Sequence, residues 1–237
     1  MSQVHASSPP FHDPALVASR ASLVRELRRF LPADAILETE EEVRPYECDG
    51  LSAYRQLPLA VLLPRTLAEV QRILRLCNER EIPVVARGAG TGLSGGALPL
   101  ATGIVLSLAR FNQILALDPV NRTARVQPGV RNLAISEAAG AHGLYYAPDP
   151  SSQIACTIGG NVAENSGGVH CLKYGLTVHN VLAVKLVTLD GELVEIGGAA
   201  LDSPGYDLLA LLIGSEGMLG VVVEVTVRLL PAPERAQ

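Results

Sequence analysis

Residues 83–96 read PVVARGAGTGLSGG, a short apolar strand that runs directly into a glycine-dense loop. Upstream, residues 59–63 form another apolar run, and Thr66 and Glu69 have the spacing of a helix capping box. Apolar residues then recur at helical spacing up to about Asn78. A strand, a helix and a strand with connections this short predict a βαβ unit with parallel strands and a right-handed crossover.

The rest of the chain predicts a second lobe, in which strands joined by hairpin turns are more frequent than βαβ units. We expect strands near residues 103–108 and 221–230, and hairpin turns at Asp118–Asn121 and Asp190–Gly191. Residues 147–175 are rich in Pro, Ser, Gly and Asn and show no sustained period. Loops of that length are uncommon in compact domains unless they bind something, so this stretch is a site candidate.

Together these patterns predict an α+β fold of two lobes. The first is a small βαβ lobe, and the second contains a mixed, partly antiparallel sheet. We expect an N-terminal tail and helix over residues 1–33, with Asp13 as N-cap, a first lobe with the glycine loop over 34–102, and a second lobe over 103–237.

Composition limits the functional classes. The chain has 237 residues, is 48% hydrophobic, and carries a net charge of -5. Its basic residues are scattered, which disfavours a nucleic-acid or anionic-membrane surface. We see neither a transmembrane segment nor a secretory signal, and four cysteines in a chain this long do not make a disulfide framework. We therefore expect a cytoplasmic protein. Cys156, His170, Cys171 and His179 match no zinc spacing, so no metal is expected.

The glycine loop imitates a nicotinamide-dinucleotide motif. Gly90 to Gly95 fit G-x-G-x-x-G, but that motif needs a helix that opens at the loop, and only seven residues including Pro99 precede the next strand. The NAD interpretation stays open only if a helix begins between Gly92 and Gly96. Otherwise the loop presents backbone N–H groups to an anion, with Thr91 and Ser94 as further donors.

A second glycine-rich stretch covers residues 157–168. Its glycines permit close backbone approach, and Asn161 and Asn165 offer amides suited to a polar heterocycle. A tight turn with an Asn cap explains the same composition equally well. Two such stretches favour a large bipartite ligand such as a dinucleotide, held by main chain without a helix end.

Four motifs in order carry a family resemblance: PVVARGAGTGLSGG, PDPSS at 148–152, TIGGN with ENSGG over 157–168, and GSEGMLG at 214–220. From about Tyr54 to Leu230 the chain resembles the PCMH-type FAD-binding domain of the vanillyl-alcohol oxidase / p-cresol methylhydroxylase superfamily. Within it, the sequence most resembles the FAD-linked oxidase family of bacterial glycolate oxidase and the D-lactate and D-2-hydroxyacid dehydrogenases.

The resemblance implies three sets of FAD-binding residues. The pyrophosphate would lie on Arg87, Gly88, Ala89, Gly90, Thr91, Gly92, Ser94, Gly95 and Gly96. The flavin and diphosphate would be lined by Pro148, Ser152, Gly159, Gly160, Asn161, Ala163, Asn165 and Gly167. The adenosine end would be approached by Glu216, Gly220, Val221 and Val222, with Glu216 accepting from ribose hydroxyls. Some relatives attach FAD through a His where this chain has Thr91, so a non-covalent FAD is implied.

The resemblance also implies a reaction. In the intact enzyme a hydride would pass from a 2-hydroxy acid such as glycolate or D-lactate to flavin N5. Relatives continue into a cap domain that binds the acid and supplies the base, so we expect no catalytic residue in this chain and little turnover from it alone. Partner subunits or an electron acceptor are implied, through which the protein could lie at the inner membrane. The alternative is a non-catalytic flavin-binding or assembly module that pairs with another subunit and exposes an apolar face.

Overall fold

The computed structural model describes residues 13–198 and 205–233. Predictions for the tail before Asp13 lie outside these residues. The helices of the described part are α1 (Pro14–Leu27), α2 (Glu40–Val43), α3 (Leu67–Glu79), α4 (Asn132–Ala139), α5 (Ile158–Glu164), α6 (Cys171–Tyr174), α7 (Thr177–Asn180) and α8 (Leu208–Leu212). The strands are β1 (Ile36–Leu37), β2 (Ala60–Leu62), β3 (Val84–Arg87), β4 (Ile104–Ser107), β5 (Ile114–Asp118), β6 (Thr123–Val126), β7 (Leu144–Tyr145), β8 (Val181–Val187), β9 (Leu193–Gly197), β10 (Val221–Arg228) and β11 (Leu230–Pro231).

The first sheet has the order β1-β2-β4-β3. Strands β2 and β3 are both parallel to β4, which lies between them, and β1 is antiparallel to β2. The predicted βαβ unit is therefore present as parallel strands, with a third strand inserted between its two members. Val61 and Val105 face one core, while Ile104 and Leu106 face another, as expected for a sheet that is buried on both sides.

Predicted caps fix the two long helices of this lobe. The Asp13 carboxylate accepts from the N–H groups of Ala15 and Leu16 at the start of α1. Thr66 and Glu69 make both hydrogen bonds of a capping box at the start of α3. These bonds satisfy N–H groups that have no partner within a helix, so both helices begin where the sequence predicted.

The second sheet has the order β5-β6-β10-β8-β9. All four of its pairings are antiparallel, in agreement with the antiparallel character expected of the second lobe. Both predicted hairpins form, between β5 and β6 and between β8 and β9. The α+β fold is confirmed, with the parallel strands confined to the first sheet.

The two sheets share a core. The cluster around α1, α3 and the first sheet also contains Val187, Val221 and Val223 from the second sheet. Strand β4 lies beyond residue 102 and nevertheless completes the first sheet. The division at 102/103 remains a prediction, although it separates β4 from the strands that it pairs with. The first residues of β10 enter this shared core and also line the cavity described below.

Within residues 13–198 and 205–233, no helix combines the length and the apolar character that crossing a membrane requires.

Candidate functional site

A cavity of about 350 Å³ lies where the glycine loop meets the beginning of α5 and the segment that leads into β10. Such a volume is in the range of small-molecule sites. Sixteen of the predicted residues line it: Arg87, Gly88, Ala89, Gly90, Thr91, Gly92, Gly96, Ser152, Gly159, Gly160, Asn161, Ala163, Glu216, Gly220, Val221 and Val222. The three separately predicted sets therefore converge on one volume, and their contact with FAD remains a prediction.

Five predicted residues do not line the cavity: Ser94, Gly95, Pro148, Asn165 and Gly167. Asn165 ends α5 in the left-handed conformation, and its amide oxygen accepts from the Val178 N–H at 3.0 Å. The carbonyl of Pro148 accepts from the Asn132 side chain at 3.0 Å. The structure thus gives Asn165 and Pro148 roles within the fold.

The glycine loop has no helix after it. Residues 88–103 contain neither helix nor strand, so no helix begins between Gly92 and Gly96 and the condition for the NAD interpretation is not met. None of the backbone N–H groups from Gly88 to Ala97 donates to the main-chain carbonyl of another described residue. A row of free N–H groups along a cavity wall is the arrangement that binds the oxygens of a phosphate.

The second glycine stretch differs from its prediction, because residues 158–164 form helix α5. Its first N–H groups are already used: Ile158 donates to the Val130 carbonyl at 2.9 Å, Gly159 to the Pro128 carbonyl at 2.8 Å, and Gly160 to the Thr157 hydroxyl at 3.4 Å. The start of α5 therefore has few free donors for an anion, which leaves that role to the loop.

Glycines make the meeting of these two segments possible. A Cβ on Gly88 would overlap the Thr157 hydroxyl, and one on Gly159 would lie 2.6 Å from the Cβ of Pro128. Gly92 and Gly160 differ, because a Cβ there would meet no protein atom closer than 3.8 and 3.5 Å, respectively. Their missing side chains leave room in the cavity, so the site fits a ligand that approaches the backbone closely.

The Arg87 side chain packs against the glycine loop and supports its conformation. Its Nη1 donates to the Cys48 carbonyl at 2.7 Å and to the Ala97 carbonyl at 3.5 Å, and its guanidinium lies 5.4 Å from the centre of the Tyr46 ring. The loop closes over this side chain, because a Cβ on Gly90 would overlap it. Burial lowers the pKa of this guanidinium from its usual value, although arginine remains charged. Arg87 thus positions the loop through hydrogen bonds to main-chain carbonyls.

The Asn161 amide also serves the fold. Its oxygen accepts from Asn132 at 2.9 Å, and its nitrogen contacts the Ser166 hydroxyl at 3.1 Å and the Cys156 sulfur at 3.4 Å. Asn132 in turn donates to Pro148. This buried network fixes the segments on either side of α5, so the amide predicted to face a heterocycle is committed to protein partners.

Three carboxylates also line the cavity. Asp49 is buried, whereas Glu164 and Glu216 are exposed. A Cβ on Gly96 would lie 3.1 Å from Oε1 of Glu164 and 3.5 Å from Oε2 of Glu216, so both carboxylates reach the same small volume. Burial, followed by the charges of Glu216 and Asp49, raises the pKa of Glu164.

Sequence reasoning missed several residues of this wall. Asp49 and Pro128 belong to segments without a motif, and only the tertiary fold brings them to the loop. Thr157 and Glu164 are the first residues of TIGGN and ENSGG, and the family resemblance implies no role for either. The capping spacing of Thr157 ahead of a short helix was the one available signal.

No group of His, Cys, Asp and Glu side chains in the part of the chain that the structure describes has the geometry of a metal site.

Comparisons with known proteins agree with this geometry. Residues 58–197 match the family described as an FAD binding domain. The chain is 65% identical over 218 residues to "Glycolate oxidase subunit GlcD" of Escherichia coli K12, and the match covers 92% of this chain. It is 45% identical over 205 residues to "D-lactate dehydrogenase" of Archaeoglobus fulgidus, and that match covers 85% of this chain. The chain spans 44% of the length of each relative.

Solved structures support the fold. A structure of alkyldihydroxyacetonephosphate synthase superposes with a TM-score of 0.81 at 24% identity. The match covers 97% of this chain and 42% of that one. At this identity the likeness concerns the arrangement of helices and strands.

Proposed function

Because this chain belongs to the FAD binding domain family, we propose that it is the FAD-binding part of an enzyme that oxidises a 2-hydroxy acid, glycolate or D-lactate. The observation that carries the proposal is the row of free N–H groups at residues 88–93, 96 and 97, which line one cavity together with α5 and the start of β10. A dinucleotide needs such a backbone cradle for its diphosphate and open walls on both sides of it.

Bound FAD would supply the acceptor for the hydride that leaves the carbinol carbon of the acid. The residues of this chain would hold the cofactor: the 88–97 loop would bind the diphosphate, and Arg87 would keep that loop in shape through Cys48 and Ala97. We assign no general base and no substrate-binding residue to the described part of the chain. In this proposal those groups come from a further domain or subunit.

The direct experiment is a titration of the purified chain with FAD, followed by flavin fluorescence and visible absorbance. We expect saturable binding of one FAD and no binding of NAD. In Gly160→Leu the new side chain would occupy the space next to Thr157 and abolish FAD binding without unfolding the protein. Gly140→Leu is the matched control, because a Cβ on Gly140 meets no atom within 4 Å and the residue does not line the cavity. A wild-type protein that ignores FAD would overturn the proposal.

A second candidate function, an assembly module, is favoured by one observation. In the segment around α6, Val169 is 85% exposed and Leu172 is 100% exposed. Apolar side chains exposed to this extent are typical of surfaces that pack against another domain or subunit. The relative that is named a glycolate oxidase subunit supports partner subunits for this chain as well. The assembly module would be favoured if the chain does not bind FAD but associates with another subunit, and if Leu172→Glu abolishes that association.

A further inference from the structure

Asp49 has an unused acceptor in the wall of the cavity. The residue is only 7% exposed, and its Oδ1 accepts from the Leu51 N–H at 2.8 Å. Its Oδ2 is buried and accepts no hydrogen bond from any residue that the structure describes. A buried carboxylate oxygen without a donor is costly, so this atom points to a donor that a ligand would bring.

The Asp49 segment lies against the glycine loop. A Cβ on Gly50 would be 2.8 Å from the Gly92 carbonyl oxygen and 3.1 Å from that of Thr91. Glu164 approaches the same part of the loop, because its Oε1 would be 3.8 Å from a Cβ on Gly92. Asp49 and Glu164 are therefore neighbours of the main chain that offers its N–H groups to an anion. Burial raises the pKa of Glu164, and the charges of Glu216 and then Asp49 raise it further.

These two kinds of group select different parts of a ligand. Free N–H groups bind phosphate oxygens, whereas carboxylates repel phosphate and accept hydrogen bonds from hydroxyl groups. A divalent cation between the carboxylates and a diphosphate would be another solution, but the described side chains form no group with metal-binding geometry. Of the donors that a dinucleotide brings, the hydroxyl groups of the chain attached directly to a phosphate lie nearest to such a cradle.

We propose that Asp49 and Glu164 bind the hydroxyl groups of the sugar or sugar alcohol that flanks the diphosphate. This inference rests on the proposed FAD function and names the part of the ligand that this wall recognises. In FAD two groups have that chemistry, the ribose of the adenosine half and the ribityl chain of the flavin half.

The experiment uses the purified chain with Asp49→Asn or Glu164→Gln and three ligands. These are FAD, an FAD analogue without the adenosine 2′ and 3′ hydroxyls, and an analogue without the ribityl hydroxyls. We expect each variant to bind FAD roughly 10- to 100-fold more weakly, as for the loss of a charge-assisted hydrogen bond. The analogue that lacks the recognised hydroxyls should bind wild type and variant equally, which identifies the ribose or the ribityl chain. Glu79→Gln, an exposed residue at the end of α3, is the matched control.

The direction in which FAD affinity changes distinguishes hydrogen bonding to the hydroxyl groups from repulsion of the diphosphate. If the carboxylates only repel the diphosphate, removing a negative charge strengthens FAD binding, and the inference is wrong. An equal loss with all three ligands would also overturn it, because the effect would then not depend on hydroxyl groups. Should Asp49→Asn fail to fold, Glu164→Gln still decides, since Glu164 is exposed. A wild-type chain that binds no FAD is a different result and rejects the proposed function itself.

Discussion

Gly88 lies so close to Thr157 that a Cβ on the glycine would overlap the threonine hydroxyl, while the Cβ of Thr157 would be 3.6 Å away. The glycine loop that follows β3 thus lies against the start of α5 at this pair of residues, and a Cβ on Gly88 would also lie 3.7 Å from the Gly160 nitrogen. The same hydroxyl accepts from the Gly160 N–H and caps the helix. The Thr157 hydroxyl therefore limits how closely the glycine loop can approach α5, and it also caps that helix.

We expect Gly88→Ala to destabilise the protein by ~1–3 kcal/mol, because the β-branched Thr157 has little freedom to move aside. FAD binding should weaken in parallel, since the two walls of the cavity are forced apart. Thr157→Ala alone should cost ~0.5–2 kcal/mol through the lost cap. In the double variant the methyl group no longer meets a hydroxyl, so Gly88→Ala should cost less there than in wild type. Urea unfolding of the four proteins measures this coupling, and strictly additive costs would contradict it.

We next predict the effect of Gly191→Ala at the β8–β9 turn. Arg75 on α3 donates to the carbonyls of Asp190 and Gly191 at 3.2 and 2.9 Å, and Gln71 donates to Gly191 at 2.9 Å. Gly191 has φ +74, and a Cβ there would lie 2.6 Å from Nε of Arg75. The new methyl group would strain the backbone and break bonds that join the two lobes, so we expect a loss of ~1–3 kcal/mol in unfolding free energy.

Gly140→Ala is the matched control for this turn. Gly140 has φ -58, and a Cβ there meets nothing within 4 Å. The substitution should be neutral or stabilise the protein by ~0.4–1 kcal/mol. Thermal unfolding of both variants tests the comparison, and equal shifts in melting temperature would show that the α3 contacts with the turn do not matter.

Much of the fold could be predicted because its signals are local. The capping box of Thr66 and Glu69 and the Asp190–Gly191 turn each depend on residues that are close in sequence. Helix α5 was missed because two of its seven residues are glycines, which interrupt the helical spacing of apolar residues and lower its helix propensity. Its stability comes from tertiary contacts such as the bond from Gly159 to Pro128, which no local pattern contains.

The candidate site likewise has a part that local sequence predicts and a part that depends on the tertiary fold. Its glycine-rich walls were predicted because a backbone that must approach a ligand requires glycine over several adjacent positions. The protein partners of single side chains were not predicted, because those partners lie far away in sequence. Arg87 is paired with Cys48, and Asn161 with Asn132. Asp49 enters the wall only because its segment packs against the loop.

The ligand-free protein should lose stability as pH rises above 4.5 through the titration of Glu164. Burial and neighbouring charges raise the pKa of this carboxyl in the folded state above its usual 4.5. Within the window that opens above 4.5 the folded state therefore holds more protons than the unfolded state, and the free energy of unfolding falls with pH. Glu164→Gln removes this dependence and should gain stability relative to wild type between pH 4 and pH 7. Urea unfolding at several pH values tests this, and parallel curves would contradict it.

The flavin should be dissociable. Attachment to protein requires a nucleophilic side chain at the ring, and the family resemblance implies that Thr91 stands at the position of the attaching His in some relatives. The thiol that does line the cavity, Cys156, is buried and lies 3.4 Å from the Asn161 amide nitrogen, within the network that fixes α5. Acid precipitation of the FAD-loaded protein should therefore leave the yellow colour in the supernatant. Cys156→Ser should behave in the same way. A coloured pellet, with the protein mass increased by that of FAD, would place a covalent link in this cavity; its loss in Cys156→Ser would assign the link to that thiol.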